Sequence, residues 1–447
     1  MTTAKTYRFP SGFWWGTASS AYQVEGNNRH SDWYWWEKKE MEKPPERRRI
    51  KEPCGRACDH WNRYEEDYDL ARSIGVQVHR LSIEWSRIYP REGEVDRKAL
   101  EHYRDMLEAL HRRGVKVMLC LNHFTLPLWI ASRGGYANGK DLLPAFAAYV
   151  ETVVERLGDL VDFWLPINEP NVVPTAGYLG REMPPFRFSL PSFGRAFRTF
   201  MSMQGRAYRI IKNHFPEAPV GVAYSYFHLQ PFRPRCVLDR LGTELARLTI
   251  NRRFFEGIAT GRIGLPLGLG ERVADLEGTL DFVGINYYST AYMKGLFPMQ
   301  SKPGDRATDM GWIYYPQGLY EVIEDIAKLT PLPLIITENG VATTDEGFRI
   351  RYIKDHLREV HRAIAGGADI KGYMYWSLTD NFEWQHGYGK RFGLIHIDYT
   401  TLKRELKESG RWFARVISDN GFAESKPGAT AGENPAKKKN ISPSPTR

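Results

Sequence analysis

Eight short runs of apolar, β-branched or aromatic residues leave this chain few architectures, because each is followed by a turn and then by apolar residues three and four apart. The runs are Phe13 to Ser19, Val76 to Glu84, Val115 to Asn122, Asp162 to Asn168, Val220 to Ser225, Leu280 to Tyr287, Leu332 to Glu338 and Ile370 to Ser377. Between them lie helix-like segments: Trp61 to Ile74, Arg97 to Arg113, Leu142 to Leu157, Phe193 to Phe215, Gln317 to Leu329 and Phe348 to Ala365. A closed parallel barrel takes eight such units, whereas a doubly wound open sheet usually stops at about five or six. The pattern predicts one (β/α)8 barrel over residues 1–420 with long loops after its strands, and no internal repeat is visible.

A chain of 447 residues with 42% hydrophobic residues can bury a core of that size. After about Asn420 the composition turns to Pro, Gly, Ser, Ala and Lys, so residues 421–447 are expected to be a disordered basic tail. That tail and the stretch from Glu37 to Arg56, which also looks mobile, each hold +3 of the formal charge of +9. The excess charge therefore reads as solvated surface, and no nucleic-acid groove is expected. Four cysteines in so long a chain, Cys54, Cys58, Cys120 and Cys236, make no disulfide framework, and free thiols in a reducing compartment are expected. The start lacks the apolar core of a secretory signal, and no apolar run approaches the roughly 20 residues of a membrane span. A soluble, cytoplasmic protein with no membrane partner is expected.

Barrel enzymes carry their active sites at the carboxyl ends of the strands, so the polar residues closing each run are the informative ones. They are Arg80 with Glu84, Asn122-His123, Asn168-Glu169, Asn286 with Tyr288, Glu338-Asn339 and Trp376. Glu169 and Glu338 close the fourth and seventh runs, and a barrel would bring both to one mouth. Two carboxyl groups on one mouth point to acid/base or nucleophilic work on a glycosidic bond.

These residues also carry a family resemblance. Phe9-Pro10-Ser11-Gly12-Phe13-Trp14-Trp15-Gly16, running into Ala21-Tyr22-Gln23-Val24-Glu25-Gly26, resembles the N-terminal signature of glycoside hydrolase family 1, the β-glucosidase family. Ile167-Asn168-Glu169-Pro170 is similar to its acid/base motif and Ile336-Thr337-Glu338-Asn339-Gly340 to its nucleophile motif. Trp376-Ser377-Leu378-Thr379-Asp380-Asn381-Phe382-Glu383-Trp384 is similar to its glycone-binding segment. The motifs stand in the family's order, and the likeness runs from about Tyr7 to Ile417.

The resemblance implies a retaining β-glycosidase in which Glu338 attacks the anomeric carbon and Glu169 serves as acid, then base. Arg80, Asn286 and Tyr288 match positions around the nucleophile, where a cation and hydrogen bonds would hold Glu338 ionised. Gln23, His123, Asn168, Glu383 and Trp384 match glycone-binding positions, and Trp376 the aromatic floor. The substrates implied are small β-glycosides or short oligosaccharides with a β-glucosyl, β-fucosyl or β-galactosyl end. A carboxylate at Glu383 argues against a 6-phosphosugar. No cofactor and no metal are implied. Transglycosylation is a related reading, and a carbohydrate-binding pseudoenzyme the contrasting one, which loss of either glutamate would have favoured.

Three departures stand out. Pro166 replaces a usual Thr and removes a strand donor, Phe124 replaces a common Trp, and the stretch from Gln230 to Gly278 is short and glycine-rich, which leaves that side of the barrel thinly covered and mobile. Other motifs carry little. Gly134 to Lys140 nearly matches a phosphate loop, but Asp141 stands where Ser or Thr would hold magnesium. His356 and His361 lack metal-site spacing and read as surface residues. Asn440-Ile441-Ser442 is a glycosylation sequon in the expected tail and is discounted. The run Trp33-Tyr34-Trp35-Trp36 is expected to pack over the barrel mouth or line its entrance.

Overall fold

The computed structural model describes residues 5–299 and 301–424. Each apolar run coincides with one parallel strand: β1 Trp14–Ala18, β2 Val78–Ser82, β3 Lys116–Cys120, β4 Phe163–Leu165, β5 Gly221–Ser225, β6 Phe282–Asn286, β7 Leu334–Asn339 and β8 Ile370–Trp376. Neighbours pair in the order β4-β3-β2-β1-β8-β7-β6-β5. Single parallel bridges, Trp164 to Val220 and Asn168 to Ala223, close the ring between β4 and β5. Among the described residues, the α-helices of eight or more residues are α1 Asp32–Met41, α2 His60–Ile74, α3 Arg97–Arg112, α4 Gly139–Leu157, α5 Leu190–His214, α6 Val237–Ala246, α7 Arg253–Thr260, α8 Gln317–Leu329, α9 Glu346–Ala365 and α10 Glu408–Asp419. Asp96, Ser189 and Asp345 cap α3, α5 and α9, accepting from the N–H groups of Ala99, Ser192 and Phe348, each worth about 1 kcal/mol.

Side chains alternate across each strand, and closure gives the alternation its meaning. Val78, Met118, Leu165, Ala223, Phe282, Ile335 and Met374 fill the barrel interior. Leu81, Leu119, Trp164, Val222, Ile285, Ile336 and Tyr373 face the other way, into the larger core between sheet and helices. Further along β2, β6 and β8 the same inward face carries Arg80 and Trp376, each two residues on, and Asn286, four residues on. The barrel is thus apolar below and polar at its carboxyl end.

The seam is where Pro166 falls. Trp164 N–H donates to Pro219 O at 2.8 Å, and the next donation toward β5 from this chain segment is Glu169 N–H to Ala223 O at 2.7 Å. Pro166 supplies no donor between them, which leaves β4 a three-residue strand.

Several expectations are corrected. The barrel domain runs past residue 420, since Gly421–Ala423 pair antiparallel with Thr6–Arg8; the rest of the expected tail, 425–447, with its sequon, lies outside the described residues. His356 is not a surface residue: it is fully buried, with Nδ1 on the Tyr352 carbonyl at 2.7 Å and its ring stacked on Tyr352. The stretch 37–56 is anchored by the buried Glu37, Glu40, Ile50 and Cys54, while residues 42–47 and most of its basic side chains are exposed, as solvated surface charge requires. Within the region from Gln230 to Gly278, residues 237–260 are helical, a π-helical turn over Arg247–Arg252 joining α6 to α7, and residues 261–278 are turns and two short strands. All four cysteines are free thiols. Among the described residues, no helix is long and apolar enough to cross a membrane.

Candidate active site

Glu338 lies where β7 departs from regular pairing: the register with β8 shifts between Ile336 and Asn339. In a regular strand, successive side chains point to opposite faces. Here both Thr337 and Glu338 reach the mouth, Thr337 donating to Asn286 Oδ1 at 2.7 Å and Glu338 meeting Arg80, as a bulge allows. Arg80 Nη1 donates to Glu338 Oε1, and the Tyr288 hydroxyl donates to Oε2. The charged Arg80 is fully buried. Burial works against its charge, but Glu338 overcomes this and raises its pKa. Burial and the Glu338 charge likewise hold the Tyr288 hydroxyl protonated, well above its ordinary range.

Glu169 follows the broken seam and adopts a left-handed backbone conformation, φ 47°, which few non-glycine residues take. Asn286 Nδ2 donates to Glu169 Oε1 at 2.9 Å, while the Asn286 backbone is in register with Glu338. The Asn286 side chain thus reaches the Glu169 carboxyl group, while its backbone pairs with the strand that carries Glu338. Burial, and then the Glu338 charge, push the Glu169 carboxyl up to about 8, with Asn286, Arg80 and Ser225 pulling it partly back. Two carboxyl groups on one mouth are held in opposite ways, one clamped by a cation and a phenol, the other kept in its acid form.

The other expected residues converge on the same mouth. Arg80 Nη2 donates to Asn168 Oδ1 at 2.6 Å, and the Asn168 amide lies 3.2 Å from His123 Nε2. His123 is kept neutral by burial and by Arg80, and its Nδ1 is buried without a partner. Its ring stacks with Trp376 at 6.0 Å and with Trp384 at 6.3 Å. Gln23 Nε2 donates to Glu383 Oε2 at 3.2 Å and to the Phe382 carbonyl at 2.8 Å. Burial, then the Glu338 charge, push Glu383 up to about 8. These are indole faces beside hydroxyl-matching polar groups, which suits the apolar C–H face and hydroxyl rim of a hexose.

The structure adds Tyr22 and Ser225, to which the sequence reading gave no role, and places several residues that it did name. Tyr22 lies parallel to Trp384 at 5.6 Å, and Trp33 packs against it at 4.6 Å, so the first aromatic run backs the sugar pocket. Trp36 stacks on Phe186 at 4.3 Å, and Trp35 is left exposed. Phe124 packs on Trp384 at 5.5 Å. Ser225 closes β5 as Arg80 and Asn286 stand near the ends of theirs, and that position was the signal that could have found it. Glu84 is not part of this cluster; its carboxylate accepts from Ser86 and Thr125.

A closed parallel barrel with two unlike carboxyl groups among sugar-matching side chains defines an O-glycoside hydrolase. The sequence profile of glycosyl hydrolase family 1 matches residues 5–422, and the chain belongs to that family. The beta-glucosidase A of Acetivibrio thermocellus is 33% identical over 448 residues, covering 93% of this chain and 99% of its own. A beta-galactosidase of Saccharolobus solfataricus is 31% identical, covering 93% of this chain and 96% of its own. The solved beta-glycosidase from Pyrococcus horikoshii superposes with a TM-score of 0.85 at 33% identity, over 94% of this chain and 97% of its own. The chain is a β-glycosidase of the β-glucosidase type.

Proposed function

We propose that the protein hydrolyses terminal non-reducing β-D-glucosyl residues, and β-fucosyl and β-galactosyl residues as well, with retention of configuration. In the first step a Glu338 oxygen bonds to the anomeric carbon as the glycosidic C–O bond breaks, and Glu169 gives its proton to the departing oxygen. In the second, Glu169, now a carboxylate, takes a proton from water as the water oxygen bonds to the same carbon and Glu338 leaves. The observation that carries the reading is the asymmetry of the pair: Arg80 and Tyr288 hold the Glu338 carboxylate, while Glu169 is pushed up to about 8. A glucose-type and a galactose-type relative together support tolerance at the 4-position. Four free cysteines, three of them buried, support a reducing compartment such as the cytoplasm.

A proton-NMR time course on an aryl β-D-glucoside tests the mechanism. β-Glucose appearing before mutarotation is expected; α-glucose as first product would reject retention. A matched series with β-galactoside and β-fucoside tests the substrate range, with kcat/KM values within about tenfold of one another expected, less than 1.4 kcal/mol in transition-state binding.

A further inference from the structure

Most helices of this barrel turn their apolar face inward, but α6 bares one to solvent. Val237, Leu238, Leu241 and Leu245 are 63%, 69%, 62% and 45% exposed. The opposite face of α6 is fixed to the domain. The buried Asp239 carboxylate accepts from the Arg233 guanidinium at 2.8 Å and from Gly295 N–H at 2.9 Å. Gly242 lies against the Gly295 carbonyl so closely that a Cβ would sit 1.9 Å from it. This contact brings the turn at residues 294–297 beside the helix, and the turn adds Leu296 at 67% and Phe297 at 75% exposure. The six side chains present on the order of 600 Å² of apolar surface, the top of the range that monomers leave bare. A stable protein interface buries about 800 Å² per partner, so the patch and its polar rim are of the size a protein partner covers.

The pattern on α6 is self-complementary. Leu238 and Leu245 stand symmetrically about the peptide between Leu241 and Gly242. An antiparallel second copy of α6, related by a two-fold axis there, sets Leu238 against the Leu245 of the other copy and the two Leu241 side chains against each other. The same axis brings Arg240, exposed and without a carboxylate partner among the described residues, toward the Glu244 of the other copy, an exposed carboxylate that in its own chain meets Arg247 at 2.9 Å and Arg252 at 3.7 Å. A two-fold axis needs one patch that matches itself in shape and charge. We propose that the protein associates as a two-fold dimer through α6 and the turn at residues 294–297.

The test is sedimentation velocity with light scattering on the full chain from about 1 to about 100 µM, because association is concentration-dependent. Expected is twice the chain mass of 51.6 kDa, falling twofold to the monomer in Leu238→Glu and in Leu241→Glu, with kcat/KM on an aryl glucoside unchanged. Both positions are exposed, and thermal melts matching the wild type would show that the variants fold. A wild type that stays monomeric throughout, or variants that remain dimeric, would overturn the proposal. Flotation of a monomeric wild type with phosphatidylcholine–phosphatidylglycerol vesicles, lost in Leu241→Glu, would also overturn it and assign the patch to a lipid surface.

Discussion

The ends of β4 and β7 carry the same residue type and hold it in opposite ways. Glu338 sits on a six-residue strand paired on both sides, and its two oxygens meet a buried guanidinium and a phenol. Glu169 sits beyond a three-residue strand, past a proline, in a left-handed turn, with the amide of Asn286 on one oxygen. The proposed mechanism asks for this difference: a nucleophilic carboxylate gains from a rigid, charge-matched cradle, and a general acid gains from burial beside a negative charge. In the proposed mechanism the β7 end holds the nucleophile between Arg80 and Tyr288, and the β4 end keeps the acid protonated until it gives its proton up.

The sharpest way to break this contrast is to remove the clamped group. Glu338→Gly should lower kcat by roughly 10⁴-fold or more, the scale of losing a covalent catalyst. Azide added to that variant should attack the opened face and give an α-glycosyl azide; a β-azide would reverse the two roles. At the β4 end, Glu169→Ala should cost about 10²- to 10⁴-fold on glycosides with poor leaving groups, the range of general acid catalysis. Activated aryl glycosides should lose far less, and equal losses would take Glu169 out of that role.

Proton affinity sharpens the contrast further. Because Glu169 is raised to about 8, its acid form is present below that value, and kcat/KM should fall as pH rises through about 8. Glu169→Gln should remove this basic limb from the remaining activity, and a limb unmoved in the variant would belong to another group. The same sign applies to stability. Glu169 and Glu383, raised from 4.5 to about 8, bind protons in the folded state that the unfolded chain has released. Their contribution is full below about 4.5 and is lost as pH rises toward 8. The smallest expected effect is at the seam: Pro166→Thr restores a donor between β4 and β5 and should add at most about 1 kcal/mol, the net worth of one hydrogen bond. A fall in thermal midpoint would show instead that the rigid proline supports the turn at Glu169.

Much of this molecule was legible in the chain. Eight apolar runs coincided with eight barrel strands because strand alternation and helix periodicity are local and survive without knowledge of partners. Gln23, His123, Asn168, Glu169, Asn286, Tyr288, Glu338, Trp376, Glu383 and Trp384 stood in motifs or beside strand ends, and closing the ring brought them to one mouth. His356 was misread, because spacing along a helix shows which residues share a face but not that Tyr314 and Tyr287 cover this one. The aromatic run Trp33 to Trp36 was read as a group, yet packing gave its members different fates: Trp33 backs Trp384, and Trp35 faces solvent.

The sequence by itself determined the barrel, the two carboxyl groups and the side chains suited to a sugar, since strand patterning and motif order are written along the chain. Only the tertiary structure decided how each carboxyl group is held. The register shift at Glu338, its contact with Arg80, the left-handed turn at Glu169 and the Asn286 amide on the Glu169 carboxyl bring together residues far apart in the chain. Burial and charge act through distance in space, and that distance exists only once the barrel has closed.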